Sequence, residues 1–415
     1  MQRHVRRNLS ERSHSAAPSV PSIMRQLHLI HSLRPEVGGP SEVIRQLAPP
    51  MKRMGHELDV ISLDEPSLVS LEVKGAQVRC FPGWPRQYGY SRALPAWMDK
   101  HTADYDAIIV HGLWQFIGLA THRAAVMAGV PYYVFPHGML APWFKHRYPL
   151  KHLKKALYWK AVEGAVLRDA KAVLFTSVEE REQAHGTFSP YHCREQIAPI
   201  GTTGPTEDPS VCREAFLKQF PALRGRRLIL FLGRLHEKKG CDLLIRAFGG
   251  LVRSVGDRMN DCDLVFAGLP SSEAYGRMLK AMATEYCPEN RVHWLGMVRD
   301  TVKWGAYFSS DVFVLCSHQE NFGVAVAESL ACGLPVLISK EVNIWREIES
   351  DDAGFCDGDS ARGCHELLRR WLELPEGGKA QMRAAAKRCF EQRYEAGRAA
   401  RLLVEALHAN DAPMT

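Results

Sequence analysis

Ser317-His318-Gln319-Glu320-Asn321-Phe322-Gly323-Val324-Ala325-Val326-Ala327-Glu328 is the stretch from which the remainder of this 415-residue chain can be read. Ahead of it, Asp311-Val312-Phe313-Val314-Leu315-Cys316 is a short apolar run with buried-strand character. Behind it, Ser329-Leu330-Ala331-Cys332-Gly333-Leu334-Pro335-Val336 reads as a helix end closed by Gly and Pro. The predicted order is strand, glycine-bearing turn, helix. The first turn of a helix offers amides with no partner inside the helix, and the helix dipole adds to their preference for negative charge.

Phosphate or sugar oxygens can therefore dock at Asn321, Phe322, Gly323 and Val324. Two carboxylates frame the turn: Glu320 just before it, and Glu328 about two helical turns further on at roughly 3.6 residues per turn. If both face one cleft they accept hydrogen bonds from two sets of hydroxyls, as a diphosphate flanked by two polyols would offer. A nucleotide sugar is such a ligand; two solvated glutamates are the plain alternative. The spacing Glu320-x7-Glu328, with Phe-Gly after the first and Ala-Cys-Gly-Leu-Pro-Val after the second, resembles the signature of GT-B glycosyltransferases of family four, group 1. That resemblance implies an α/β fold of two Rossmann-like domains facing across a cleft, with a C-terminal helix crossing back to the first domain.

The totals agree with a two-domain globular chain: 46% hydrophobic, 24% charged and 9% aromatic residues over a length too great for one ordinary core. A formal charge of +7 is too diffuse to argue for nucleic acid, but it suits an anionic membrane surface or a phosphorylated substrate. The cysteines number 11, an odd count, and are scattered with no C-x-x-C pair, which reads as reduced thiols in a cytosolic chain. No apolar run approaches the roughly 20 residues of a membrane span. Residues 1–24 are expected to be a basic tail without the apolar centre of a secretory signal.

In residues 25–204, Leu27 to Leu33 reads as a first strand and the helix from Pro40 carries an apolar stripe ending near Gly55. Gly38-Gly39 falls where an open parallel sheet binds ligands, although a glycine pair also simply makes turns. A dinucleotide fingerprint, G-x-G-x-x-G with an acid about 20 positions later, is not present. Strands are expected at His56–Ser62, Ala107–His111 and Tyr132–Phe135, with a helix at Phe116–Ala128 between the last two. Two strand ends carry polar or aromatic groups, His111-Gly112-Leu113-Trp114 and Pro136-His137-Gly138-Met139-Leu140. By the resemblance, Gly38 and Gly39 face the donor diphosphate and sugar, and His137 meets the donor sugar. The Pro-His-Gly-Met-Leu-x-Pro-Trp form is similar to members that build bacterial surface polysaccharides. His111 and Trp114 are candidate acceptor contacts. From Phe144 to Lys160, six Lys and Arg interleave with Tyr, Leu and Trp, so the segment either rests on anionic lipid or packs its apolar side inward. Ala172–Thr176 is a further strand, and Ser177 to Glu180 a capping box opening the next helix.

Gly201 to Pro209 is turn-rich and reads as the interdomain linker, so that residues 205–394 form the second domain and a helix at about 395–410 completes the first. The second sheet begins at Arg227–Leu232 and runs into Gly233-Arg234-Leu235-His236-Glu237-Lys238-Lys239-Gly240, with a helix from about Cys241 and further strands at Leu264–Ala267 and Val292–Leu295. Its cations stand near a strand's carboxyl end, where fixed positive charge stabilises a departing diphosphate. The Gly-Arg-x-x-x-x-Lys-Gly spacing resembles the family's; by that match Arg234 and Lys239 take the role without a metal, Lys238 being the alternative. Asp-x-Asp triplets at Asp104, Asp261 and Asp357 are too cheap a pattern to argue for a metal site.

The resemblance therefore implies a cytoplasmic retaining transferase, peripheral on the inner membrane face, that uses a UDP- or GDP-sugar, no cofactor and a glycan or lipid-linked acceptor. Glu320 would hold sugar hydroxyls and Glu328 the ribose. A non-catalytic nucleotide-sugar-binding subunit of a polysaccharide-assembly complex and a sugar-nucleotide epimerase are the competing readings.

Overall fold

The computed structural model describes residues 23–34, 39–67 and 72–409. Residues 1–22 of the expected basic tail (1–24) and Gly38 lie outside them. Met24 is the buried start of the first sheet, its amide donating to His56 Nδ1 at 3.1 Å.

Seven strands form that sheet: β1 Arg25–Ile30, β2 Glu57–Ser62, β3 Gln77–Cys80, β4 Ala107–His111, β5 Tyr132–Phe135, β6 Ala172–Phe175 and β7 Glu195–Ile197. Their order is β3-β2-β1-β4-β5-β6-β7, every pairing parallel. Parallel strands joined by helical crossovers are covered on both faces, so the central ones need apolar residues almost throughout; β4, β5 and β6 are buried at every position. The second sheet comprises β8 Arg227–Leu232, β9 Cys262–Ala267, β10 Val292–Gly296, β11 Val312–Leu315, β12 Val336–Ser339 and β13 Gly354–Asp357. Its order is β10-β9-β8-β11-β12-β13, again parallel throughout.

Each sheet reverses its winding once, between β1 and β4 in the first and between β8 and β11 in the second. Loops leaving the carboxyl ends at such a reversal diverge to opposite faces and leave a crevice. The chain closes with the helix Ala396–Ala409, which lies along the helix Gly39–Arg53 of the first domain; Tyr133 Oη on β5 donates to Leu407 O at 3.0 Å.

β3, β7, β12, β13 and the helix Ala93–His101 have no counterpart in the sequence reading. These strands span only three or four residues, too few for a period of two to register. The Asp-x-Asp triplets prove to be local ties. Asp263 accepts from Arg226 Nη2 and Arg291 Nε, both at 2.7 Å, and pairs with His293 Nε2 at 3.0 Å. Burial would raise its carboxyl, but the hydrogen bonds from His293, Arg226 and Arg291 hold it well below the usual carboxylate range. Asp106 caps the Arg25 amide at 2.7 Å and Asp359 pairs with His318 at 2.9 Å. Among the described residues no group of His, Cys, Asp and Glu is arranged to hold a metal ion.

Candidate active site

The reversal between β8 and β11 brings the two motif loops of the second domain together. Gly240 adopts φ +63°, and a Cβ there would fall on the Cys316 carbonyl oxygen, so only glycine lets the loops close. Ser317 Oγ and the His318 amide both donate to Lys238 O, at 3.1 and 2.8 Å. The Lys239 ammonium then meets the Glu320 carboxylate directly. Burial, with Lys238 and Arg234 alongside, pushes the Lys239 ammonium down to about 7. Arg234 stands exposed at the rim of the same loop.

Glu320 is not on a helix, which corrects the expected two-turn spacing. Its amide donates to Glu341 O at 2.9 Å and its carbonyl accepts from Asn343 N at 3.0 Å, an extended bridge to the strip around Val342. The helix starts only at Val324, after Gly323 turns the chain at φ +73°. Phe322 is buried against the Tyr394 ring, 5.5 Å between centroids, so its side chain anchors the turn and its backbone lies along it. Glu328 is buried one helical turn in, held by Lys303 Nζ at 2.8 Å and Tyr307 Oη at 3.0 Å. Lys303 and Tyr307 went unnoticed in the sequence. Their i, i+4 spacing on the helix Asp300–Phe308 was the available signal. Beyond Leu235, a cavity of about 390 Å³ opens at the ends of β8, β9 and β10, lined by Gly268, Leu269, Pro270, Arg277 and Trp294.

The first domain meets this wall through His137-Gly138. His137 takes φ +50°, a left-handed conformation uncommon outside glycine, and Gly138 follows at +73°. A Cβ on Gly138 would stand 3.0 Å from the Asn321 side chain, so the two loops touch across the cleft. Asn321 Nδ2 donates to Thr176 Oγ1 at 3.1 Å, and its Oδ1 accepts from Asn343 Nδ2 at 3.2 Å. Ser177 caps its helix as predicted, accepting from the Glu180 amide at 3.1 Å. The reciprocal half of the capping box is replaced: the buried Glu180 carboxylate takes the Gly138 amide at 2.6 Å and the Thr176 amide and hydroxyl at 2.7 Å each. Arg346 bridges the domains again, to Glu179 at 2.9 Å and Glu182 at 3.3 Å.

His137 rests on a buried row of imidazoles. His111 Nδ1 lies 2.9 Å from His137 Nε2, and His28 Nδ1 lies 2.9 Å from His111 Nε2. Both His111 nitrogens are thereby used inside the domain, and the ring is not presented to an acceptor. Trp114 sits at φ +75° with its ring against Phe188, 4.9 Å away, and beneath Lys155 Nζ at 4.6 Å, while its amide donates to Glu163 at 3.2 Å. Gly39 is exposed at the start of its helix.

Burial lowers His28 and His137 to about 3, and burial with the other two rings lowers His111 well below its ordinary value. All three are neutral near pH 7. Their folded values lie below the unfolded value of about 6.5, so the unfolded chain binds more protons under that pH. The stability they contribute is complete above about pH 6.5 and is lost progressively as pH falls from there towards about 3. The melting temperature is expected to drop steeply between pH 6.5 and 5; a flat profile there would show that the rings are solvated.

Two parallel-sheet lobes meeting through loops at the carboxyl ends of their strands define the GT-B glycosyltransferase fold. The model of the glycosyl transferases group 1 matches residues 213–388, and that of a glycosyl transferase 4-like domain matches residues 38–198. The chain belongs to this family. A D-inositol 3-phosphate glycosyltransferase of Xylanimonas cellulosilytica is 29% identical over 236 residues, 54% of each chain. The aligned stretch thus spans about half the length of that relative. A mannosylfructose-phosphate synthase of Agrobacterium fabrum is 23% identical over 75% of this chain and 73% of its own. Among solved structures, Anabaena HepE in complex with UDP and glucose superposes with a TM-score of 0.73 at 19% identity, over 93% of this chain and 100% of that one. WaaG, a glycosyltransferase involved in lipopolysaccharide biosynthesis, does so at 0.65 and 17%, over 92% and 99%.

Proposed function

We propose that the protein is a retaining glycosyltransferase that moves a sugar from a UDP- or GDP-sugar to a glycan or lipid-linked acceptor in surface-polysaccharide synthesis, without a metal ion or other cofactor. The observation that carries this reading is the convergence of Arg234, the Lys239–Glu320 pair and the Gly323 helix start opposite His137. The binding of UDP and glucose by the Anabaena protein supports a uridine donor. In this reading the nucleobase enters the cavity beside Trp294 and Glu328, fixed by Lys303 and Tyr307, takes the ribose hydroxyls. The Asn321–Val324 backbone and Gly39 approach the diphosphate and sugar, while Glu320 and His137 hold sugar hydroxyls.

As the bond from the sugar's anomeric carbon to the diphosphate oxygen breaks, its electron pair stays on the phosphate, and Arg234 and Lys239 stabilise the growing charge. The acceptor oxygen bonds to the same face of the anomeric carbon, and its proton passes to the departing phosphate. A double displacement needs a carboxylate nucleophile beside the sugar. The carboxylate nearest the His137 loop in the hydrogen-bond network is Glu180, and it is buried and occupied by Gly138 and Thr176.

The acceptor side supports a membrane surface. The helix Pro149–Tyr158 buries none of its residues, and Leu150, Leu153 and Leu157 are 83, 62 and 65% exposed along one stripe. Lys145, Arg147, Lys151, Lys154, Lys155 and Lys160 accompany them, with no acid between Trp143 and Lys160. The expectation that this apolar side packs inward fails for the leucines, whereas Trp159 is buried. No described helix is long and apolar enough to cross a membrane; in this reading the contact is peripheral, from the cytoplasmic face.

Incubation of the purified protein with labelled UDP- and GDP-sugars tests the reading. Slow release of the nucleoside diphosphate supports transfer. Isomerised donor would point to an epimerase, and stabilisation by donor without either reaction to a non-catalytic binding subunit.

A further inference from the structure

The imidazole row beneath His137 continues one residue deeper, and its deep end fixes a direction. Gln26 and His28 lie two apart on β1, so their side chains share a face of the sheet. Gln26 Oε1 is 3.2 Å from His28 Nε2, and the two N···N contacts of 2.9 Å carry the row through His111 on β4 to His137 at the end of β5. The rings lie edge to edge and nearly coplanar, with centroids 5.2 Å apart at both steps and interplanar angles of 22° and 16°, as in-plane N–H···N bonds require. Phe135 stacks on both His111 and His137, at 5.5 and 5.4 Å. Gln26 and His28 are wholly buried, so the row ends blind inside the domain. It therefore orients a ring and does not conduct protons to solvent.

A neutral imidazole has one N–H and one lone pair, so hydrogen bonds in a row of such rings must all run the same way. An amide oxygen only accepts. With Gln26 Oε1 at the deep end, His28 donates from Nε2 and accepts at Nδ1. His111 then donates from Nε2 and accepts at Nδ1, and His137 donates from Nε2. We propose that Gln26, His28 and His111 are positioning residues that hold His137 as its Nε2–H tautomer, leaving Nδ1 as an acceptor for a hydroxyl of the transferred sugar. With Oε1 turned to His28, Gln26 Nε2 has no hydrogen-bond partner among the described residues. The direction rests on that one contact, and turning the amide over would reverse every bond in the row. The role at the sugar rests on the transferase reading; the tautomer does not.

The test is a two-bond proton–nitrogen correlation spectrum of the full-length, ligand-free protein labelled with nitrogen-15 histidine. His137 is expected to show a single tautomer with an unprotonated Nδ1. In Gln26→Met, which keeps the volume and removes the amide, both tautomers are expected to appear. kcat with the accepted donor should then fall about tenfold, the loss of one ordinary hydrogen bond, with little change in KM. His28→Phe, which keeps a planar ring in the row and removes both of its nitrogens, is expected to do the same and serves if Gln26→Met does not fold. A protonated Nδ1 in the wild type, or an unchanged single tautomer in both folded variants, would overturn the proposal. The predicted tautomer in a protein that turns over no nucleotide sugar would defeat the transferase reading and leave the positioning row standing.

Discussion

Arg234→Ala is expected to lower kcat for sugar transfer by about 10²–10³-fold, the usual cost of removing one fixed group aimed at a developing oxyanion. The expectation follows from the pairing inside the site. Lys239 is already in contact with Glu320, and part of its charge is spent there before any ligand arrives. Arg234 is exposed at the end of β8, and among the described residues it has no ion-pair partner, so it is the cation with most charge to offer a diphosphate. A guanidinium also meets two phosphate oxygens at once, whereas Arg234→Lys keeps the charge and loses the fork; that variant should recover only part of the rate. Donor-dependent release of nucleoside diphosphate, with the donor-induced shift in melting temperature, separates chemistry from binding. Near-normal turnover by Arg234→Ala would place the leaving group elsewhere.

The triple change of Leu150, Leu153 and Leu157 to Glu should reduce partitioning onto anionic vesicles by about 100-fold. Each leucine removed from a lipid interface forfeits roughly 1 kcal/mol, part of the 1.5–3 kcal/mol of full burial, and three added negative charges oppose the lysines. Folding should be unaffected, because the helix Pro149–Tyr158 buries none of its residues. Sedimentation with vesicles of anionic and of zwitterionic lipid reads the outcome: the wild type should prefer the anionic ones, and the preference should fade as salt is raised. Equal binding by wild type and triple variant would remove this helix from any membrane contact. Release of nucleoside diphosphate without lipid should be the same in both.

The parts legible in the sequence were those where one segment carries its whole signal. The strand, turn and helix around Asn321 are local, and Ala107–His111, Phe116–Ala128 and Arg227–Leu232 have the boundaries their apolar runs predict. What stayed hidden depends on neighbours distant in sequence. Glu320 stands before the turn as read, but its separation from Glu328 looks like two helical turns until Val342 draws Glu320 into an extended bridge and the helix begins only at Val324. His111 looks like a ligand contact until His28, 83 positions earlier, takes its inner nitrogen. Glu180 spells a capping box, but Gly138 offers its carboxylate a buried amide 42 positions away, and that partner wins. The exposed leucines of the helix Pro149–Tyr158 show the same limit, since an amphipathic pattern gives a direction but not which side faces the core.

The contact between Lys239 and Glu320 makes a closed circuit of the cleft's own charges. A bare phosphate that drew the ammonium away would strand the carboxylate, and a plain sugar that engaged the carboxylate would strand the ammonium. Only a molecule presenting anionic oxygens and hydroxyl donors together, a few bonds apart, satisfies both at once. In the proposed reading the pair therefore discriminates against inorganic phosphate and free monosaccharide in favour of the intact donor.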